Sequence, residues 1–184
     1  MSVTNLFVKH HHGAAIKPVS TIRHDELGIV EGVACAPFRQ VLITARSAIA
    51  ECGLEPGDLR ENIVVEFDRL YDLPSGTVVR IGQSLIRLTF HCEPCWKILK
   101  KVNFETIVHR RGVLGMFLNC GKIAVGDPLI VTEQRMEAIP YAALDRISWF
   151  LKKHRAPDAA IDLVHAVGLP AFYRRMLRKA GGGR

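Results

Sequence analysis

The stretch Leu73-Pro74-Ser75-Gly76-Thr77-Val78-Val79-Arg80-Ile81-Gly82-Gln83-Ser84-Leu85-Ile86-Arg87-Leu88-Thr89-Phe90 decides the fold. Pro74-Ser75-Gly76 and Ile81-Gly82-Gln83-Ser84 are turn signals, and the residues around them are rich in Val, Ile, Leu and Thr. β-branched side chains suit a pleated surface, so residues 77–90 are expected to form a hairpin. Runs of the same character occur at 3–8, 40–44, 62–67 and 129–132. One helix, expected at 45–52 and closed by Gly53, interrupts them. Many short strands with few helices between them favour a closed or nearly closed β-barrel over a parallel α/β sheet.

The period changes after Glu133. Pro140 can open a helix carrying Leu144, Ile147 and Leu151, and Asp158 can cap a second with Ile161 and Val164, stopped by Gly168. Pro170 opens a third, with Phe172, Tyr173, Met176 and Leu177 on one side and Arg174, Arg175, Arg178 and Lys179 on the other. The expected organisation is a mainly β domain over 1–134 and a small three-helix unit over 138–180.

The chain has 184 residues, 48% apolar and 23% charged, which excludes wholesale disorder and leaves room for one well-buried core. No apolar run approaches the ~18 residues of a membrane helix, and the first residues lack the apolar centre of a secretory signal. A cytoplasmic protein is expected. Its 25 Lys+Arg against 18 Asp+Glu give a formal charge of +7, which favours an anionic partner: nucleic acid, an acidic membrane surface or a phosphorylated small molecule. Five irregularly spaced cysteines (35, 52, 92, 95 and 120) argue for thiols rather than a disulfide framework.

The most informative chemistry lies in Phe90-His91-Cys92-Glu93-Pro94-Cys95-Trp96-Lys97-Ile98-Leu99. Pro94 suits a first helical turn, so Cys95 is expected near a helix N-terminus, where aligned N–H groups favour thiolate; Lys97, Lys100 and Lys101 act in the same sense. Chemistry alone leaves several roles open: half of a zinc site completed by His91 and Cys120, a redox pair, a nucleophilic or sulfur-carrying thiolate, or a soft-metal ligand. Ordinary burial as small apolar side chains is the fifth.

Between two turns, Arg60-Glu61-Asn62 offers a forked donor, an acceptor and a mixed amide, a set able to read a ring edge or simply to sit in a solvated loop. His10, His11 and His12 beside Lys9 and Lys17 read as a solvated loop within reach of an anion. Arg39 and Arg110-Arg111-Gly112 add guanidinium groups, enough together to clamp a phosphate. No glycine-rich nucleotide loop of either common spacing is present.

In combination these pieces resemble a known family. Arg39-Gln40-Val41-Leu42, then Gly53-Leu54 with Pro56-Gly57-Asp58-Leu59-Arg60-Glu61-Asn62-Ile63, then Leu73-Pro74 with Gly76, Arg80, Ile81 and Gly82, look like the MOSC domain. So do Glu93-Pro94-Cys95, Arg111-Gly112, and Gly121-Lys122-Ile123 with Val125-Gly126-Asp127, over roughly residues 13–131. The tail is similar to the three-helix extension of the bacterial subgroup tied to detoxification of N-hydroxylated bases. The sequence departs from the pattern at Gly28-Ile29-Val30-Glu31-Gly32-Val33-Ala34-Cys35: Val33 stands where the family usually has an acid, and Cys35 near its histidine.

The resemblance implies a β-barrel that binds molybdenum cofactor, a phosphorylated pterin dithiolene (molybdopterin), with Cys95 as the metal ligand and catalytic cysteine. Lys17, Arg39, Arg60, Glu61, Asn62 and Arg111 are the residues expected to bind the cofactor. The implied activity is reduction of N-hydroxylated or N-oxide compounds, with a small-molecule substrate and an electron-donor protein as partners. Two alternatives stand beside it: a cofactor or sulfur carrier using a persulfide on Cys95, and a nucleic-acid-binding module using the basic third helix. Membrane association is not expected, and a homodimer is compatible with the sequence.

Overall fold

The computed structural model describes residues 1–138 apart from 12, 34–36, 93 and 96. The three-helix unit expected over 138–180, and Cys35, therefore lie essentially outside the described residues. Met1–Ala138 forms one compact unit. Its strands are β1 (Val3–Val8), β2 (Lys17–Val19), β3 (Thr21–Asp25), β4 (Gly28–Ile29), β5 (Val41–Ala45), β6 (Ile63–Val65), β7 (Thr77–Ile81), β8 (Ser84–His91), β9 (Val113–Phe117), β10 (Gly121–Ala124) and β11 (Leu129–Arg135). Two short helices, α1 (Arg46–Glu51) and α2 (Phe104–Ile107), accompany them. The chain is mainly β.

An 8-stranded sheet runs in the order β11-β7-β8-β9-β5-β6-β1-β2, and β10-β3-β4 form a second sheet. The larger sheet curls into a half-barrel. A bridge from Ser2 to Pro128, with Val3 N–H donating to the Asp127 carbonyl, ties β1 to the start of β11. The hairpin expected from the turn signals is present: β7 and β8 pair antiparallel, with Ile81 opposite Ser84. β5 and β6 are parallel, with Ile43 opposite Ile63. A parallel pair cannot be closed by a tight turn; the crossover here is α1 plus the loop 52–62. That loop carries Arg60 and Glu61.

Strand alternation creates two apolar layers. Leu6 and Val8 of β1, Val41 and Ile43 of β5, and Ile63 and Val65 of β6 join the main core with Ile81, Ile86, Leu88 and Phe117. Phe7 and Val64 point the other way and join a second cluster with Ile49, Leu59, Ile98 and Ile107. This second layer is covered by α1, the crossover loop and the segment from Cys95 to Ile107. The candidate site is built there.

Candidate functional site

Leu59 anchors the crossover loop. Its side chain is completely buried in the second cluster, while Asp58 and Arg60 N–H groups donate back to the Glu55 and Gly57 carbonyls. The loop then turns sharply at Arg60, whose φ of 62° lies in the left-handed region. Few non-glycine residues adopt it, and those that do gather at functional sites. Among the described residues the other case is His109, with φ 60°, two positions before Arg111. Arg60 reaches back with Nη2 to the Ala14 carbonyl at 3.1 Å.

Glu61 is fully buried. One carboxylate oxygen accepts the Gly57 N–H; the other, Oε2, has no hydrogen-bond partner. Burial raises its pKa, against the opposing effect of the loop N–H groups of Gly57, Glu61 and Leu59. Asn62 is spent on backbone. Its Oδ1 accepts Leu42 N–H at 3.0 Å and its Nδ2 donates to the Phe7 carbonyl at 3.2 Å, joining β1 and β5 beside its own backbone bonds to Leu42 and Phe7.

Cys95 is half-buried and packs against the second cluster. The expected helix N-terminus is not what holds it: residues 97–102 form turns, with Ile98 and Leu99 N–H groups donating to the Cys95 carbonyl. Without the pairing of a regular helix, N–H groups still converge on the sulfur. Burial alone pushes the thiol up. The Arg111 guanidinium, the N–H groups of Ile98 and Lys97, and Arg60 outweigh it and hold the thiol below its ordinary pKa.

Arg111 is buried and fixed by its neighbours. Its carbonyl accepts the Thr44 hydroxyl at 3.0 Å, and Gly112 follows it with φ 144°. A Cβ at that position would meet Thr44 Oγ1 at 2.6 Å and the Ile43 carbonyl at 2.7 Å, so only glycine lets this strand entry lie against β5. Cys92, also buried, donates its N–H to the Gly112 carbonyl, which ties the end of β8 to the arginine segment.

The structure thus brings together Cys95, Arg60 and Arg111, with Glu61 next to Arg60 in the chain. Arg39 is exposed and faces another group: its Cζ is 6.0 Å from the centroid of Phe90. Lys17 is exposed on the edge strand β2, three residues past the Ala14 carbonyl that Arg60 reaches. Among the described residues no three of His, Cys, Asp and Glu are grouped to hold a metal, so the zinc set of His91, Cys92, Cys95 and Cys120 does not form.

An aromatic group adjoins the site. The His91 ring stacks on Tyr71 with centroids 6.1 Å apart and meets His109 edge-on at 5.8 Å. Burial, reinforced by like charge on His109, lowers the His91 pKa. Tyr71 accepts the Ala45 N–H, and burial raises its own pKa. Tyr71 and His109 were not legible as site neighbours, because neither lies within a motif. The one available signal was His91 at the end of a strand beside Cys92.

With this geometry established, comparison with known proteins is decisive at the level of family. The MOSC domain profile matches residues 8–130, which include every site residue named above. The chain belongs to the MOSC domain family. No curated protein matches it in sequence. Similar solved structures include YiiM from Geobacillus stearothermophilus, 17% identical with TM-score 0.62, covering 97% of this chain and 98% of that one. YiiM from Escherichia coli is 19% identical with TM-score 0.57, covering 100% and 94%. The YUAD protein from Bacillus subtilis is 15% identical with TM-score 0.59, covering 70% and 93%. At such identities these likenesses establish the MOSC fold. Among the described residues no helix is long and apolar enough to cross a membrane.

Proposed function

We propose that this MOSC domain binds molybdenum cofactor through Cys95 and reduces N-hydroxylated or N-oxide compounds. The observation that carries the reading is a half-buried thiol flanked by two guanidinium groups, Arg60 and Arg111. A thiolate is the soft ligand molybdenum prefers. Guanidinium groups match a phosphate bidentately, each such charge-assisted contact contributing about 1.5–3 kcal/mol when buried. The partnerless Oε2 of Glu61 is a buried acceptor suited to an N–H group on a pterin edge. The residues present fit the cofactor.

When bound, the cofactor supplies a two-electron redox centre able to accept oxygen from nitrogen. The chain supplies the rest. Cys95 ligates, Arg60 and Arg111 hold the anionic group, and Glu61 orients the ring.

The test is elemental analysis of gently purified protein from cells able to make the cofactor, together with reduction of an N-hydroxylated base by reduced methyl viologen. Stoichiometric molybdenum and viologen-driven turnover are expected. Metal-free protein bearing a persulfide on Cys95 would replace this reading with the sulfur carrier.

A further inference from the structure

Burying a carboxylate completely costs far more than closing a loop requires, yet Glu61 closes the crossover loop with only one of its two oxygens. The stretch from Gly57 to Glu61 holds two residues in the left-handed region, Gly57 at φ 103° and Arg60 at φ 62°. Glycine adopts that conformation freely; arginine does not. Contacts outside Arg60 must therefore hold its backbone there.

Two hydrogen bonds meet at Gly57. The Arg60 N–H donates to the Gly57 carbonyl, and the Gly57 N–H donates to Glu61 Oε1. The glycine is gripped at both of its polar groups, once by the backbone of Arg60 and once by the side chain that follows it. Leu59, completely buried, pins the middle of the loop. A Cβ on Gly57 would lie 3.2 Å from Phe7 Cε1 and 3.3 Å from Ile16 Cδ1, so the loop is also pressed against β1 and has little room to relax.

The two charges are kept apart. Among the ion pairs of the described residues none joins Glu61 to Arg60. The carboxylate turns to the Gly57 N–H, while the guanidinium extends to the Ala14 carbonyl at 3.1 Å and acts on the Cys95 sulfur. Glu61 thus fixes the root of Arg60 without cancelling its charge. Removing the carboxylate would leave the Gly57 N–H without this acceptor and let Arg60 relax to an ordinary negative φ, which redirects its side chain.

We propose that Glu61 is a positioning residue: its Oε1 holds the left-handed turn that presents the Arg60 guanidinium to the Cys95 site. This rests on the reading of Arg60 as an anion holder there. The other oxygen, Oε2, keeps its role as a ring acceptor, so one carboxylate serves the ligand directly and through its neighbour.

The experiment uses the full chain without cofactor and reads the field at the sulfur. Iodoacetate and iodoacetamide both alkylate the Cys95 thiolate with loss of iodide, so the ratio of their rates cancels the extent of ionisation. What remains is the attraction of nearby cations for the anionic reagent. Peptide mapping confines the measurement to Cys95. At low salt, Arg60→Ala should lower the iodoacetate-to-iodoacetamide ratio about threefold. Glu61→Met, of similar volume but without an acceptor, should lower it by a similar factor. Glu61→Gln, whose amide oxygen can accept the Gly57 N–H, should keep the wild-type ratio. Arg60→Ala combined with Glu61→Met should lose no more than either alone.

The sign separates positioning from a charge effect. Deleting a negative charge near the sulfur would raise the ratio, so a fall in Glu61→Met reports displacement of Arg60. An unchanged or raised ratio in that variant, with a thermal melt showing it folded, would overturn the proposal. So would a Glu61→Gln ratio as low as that of Glu61→Met. Glu61→Asp, which keeps the charge but draws the oxygen back by one methylene, gives a second reading should Glu61→Met not fold: its ratio should fall, and a wild-type value would count against the proposal in the same way. Failure of the protein to take up molybdenum would sink the reductase reading and leave these ratios untouched.

Discussion

A thiol against two guanidinium groups and two backbone N–H groups is a different ligand from a solvated one, and the contrast with Cys92 three residues away makes this testable. Cys92 is buried at the end of β8, with its N–H on the Gly112 carbonyl. Cys95→Ser should abolish molybdenum content and reduction while the melting temperature barely moves. Cys92→Ser should keep the metal and lower stability by about 1–2 kcal/mol, because a hydroxyl enters an apolar position. Elemental analysis and melts of both variants check this; metal retained in Cys95→Ser and lost in Cys92→Ser would reverse the assignment. His24 gives a second prediction at this scale. Buried on Phe117 with ring centroids 3.8 Å apart and hydrogen-bonded to Ser84, it has its pKa pushed down to about 4, mainly by burial. The unfolded chain then binds a proton below about pH 6.5 that the folded chain refuses until about pH 4. Stability should therefore be full above pH 6.5 and fall as pH drops to 4, by up to about 3 kcal/mol. Urea midpoints between pH 7 and 4 measure it, and His24→Leu should flatten that slope. Cys95 stands out in the sequence through its local neighbours, Pro94 and the lysines, whereas the groups that lower its pKa include Arg60 and Arg111, which bear on it only through the fold and which spacing alone could not bring together.

At the level of elements, legibility followed how far a strand's signal is local. β1 and β7 have the expected boundaries, and β5, β6, β8 and β11 differ from expectation by a few residues at their ends. β9 escaped notice because Gly115 interrupts it. A Cβ there would lie 2.6 Å from Ile86 Cγ2 across the sheet, so the residue that weakens the local strand signal is the one the packing requires. β2, β3, β4 and β10 are short and broken by Pro18, Gly28 and charged residues, and they acquire strand character only by pairing. Asn62 carries a prediction of the same kind. In sequence it read as part of a ring-edge reader, yet its amide joins the Leu42 N–H to the Phe7 carbonyl. Asn62→Ala would leave a buried donor and acceptor without partners at the β1–β5 junction, costing about 2–4 kcal/mol. Denaturant unfolding should show that loss, while molybdenum per folded molecule stays near the wild-type value. A drop in occupancy without a drop in stability would return Asn62 to the cofactor.

At the scale of the whole molecule, the question left by a charge of +7 is whether the anionic partner is a phosphorylated small molecule or a nucleic acid. Charge total does not decide it; charge distribution does. On the described domain, five basic side chains sit in ion pairs, Arg23 with Glu31, Arg46 with Glu66, Arg69 with Asp72, Lys101 with Asp58 and Arg110 with Glu51. Each of these pairs sets an acid beside a base on residues 1–138, which hold 16 Lys+Arg against 15 Asp+Glu; residues 139–184 hold 9 against 3. Arg111, moreover, is buried beside Cys95, where a duplex backbone cannot reach it. If the anionic partner is the phosphorylated small molecule, the full chain should bind duplex DNA weakly and without sequence preference, releasing few counterions. Fluorescence anisotropy with a labelled duplex of about 20 base pairs, titrated from 50 to 200 mM salt, should give a log–log slope no steeper than about −3, the signature of roughly three phosphate contacts. Molybdenum-dependent turnover should be indifferent to saturating DNA. A slope of about −6 or steeper, with affinity surviving at 200 mM salt, would mean that the basic residues act as a surface for nucleic acid, and the phosphate-clamp role of Arg60 and Arg111 would lose its support from the charge balance.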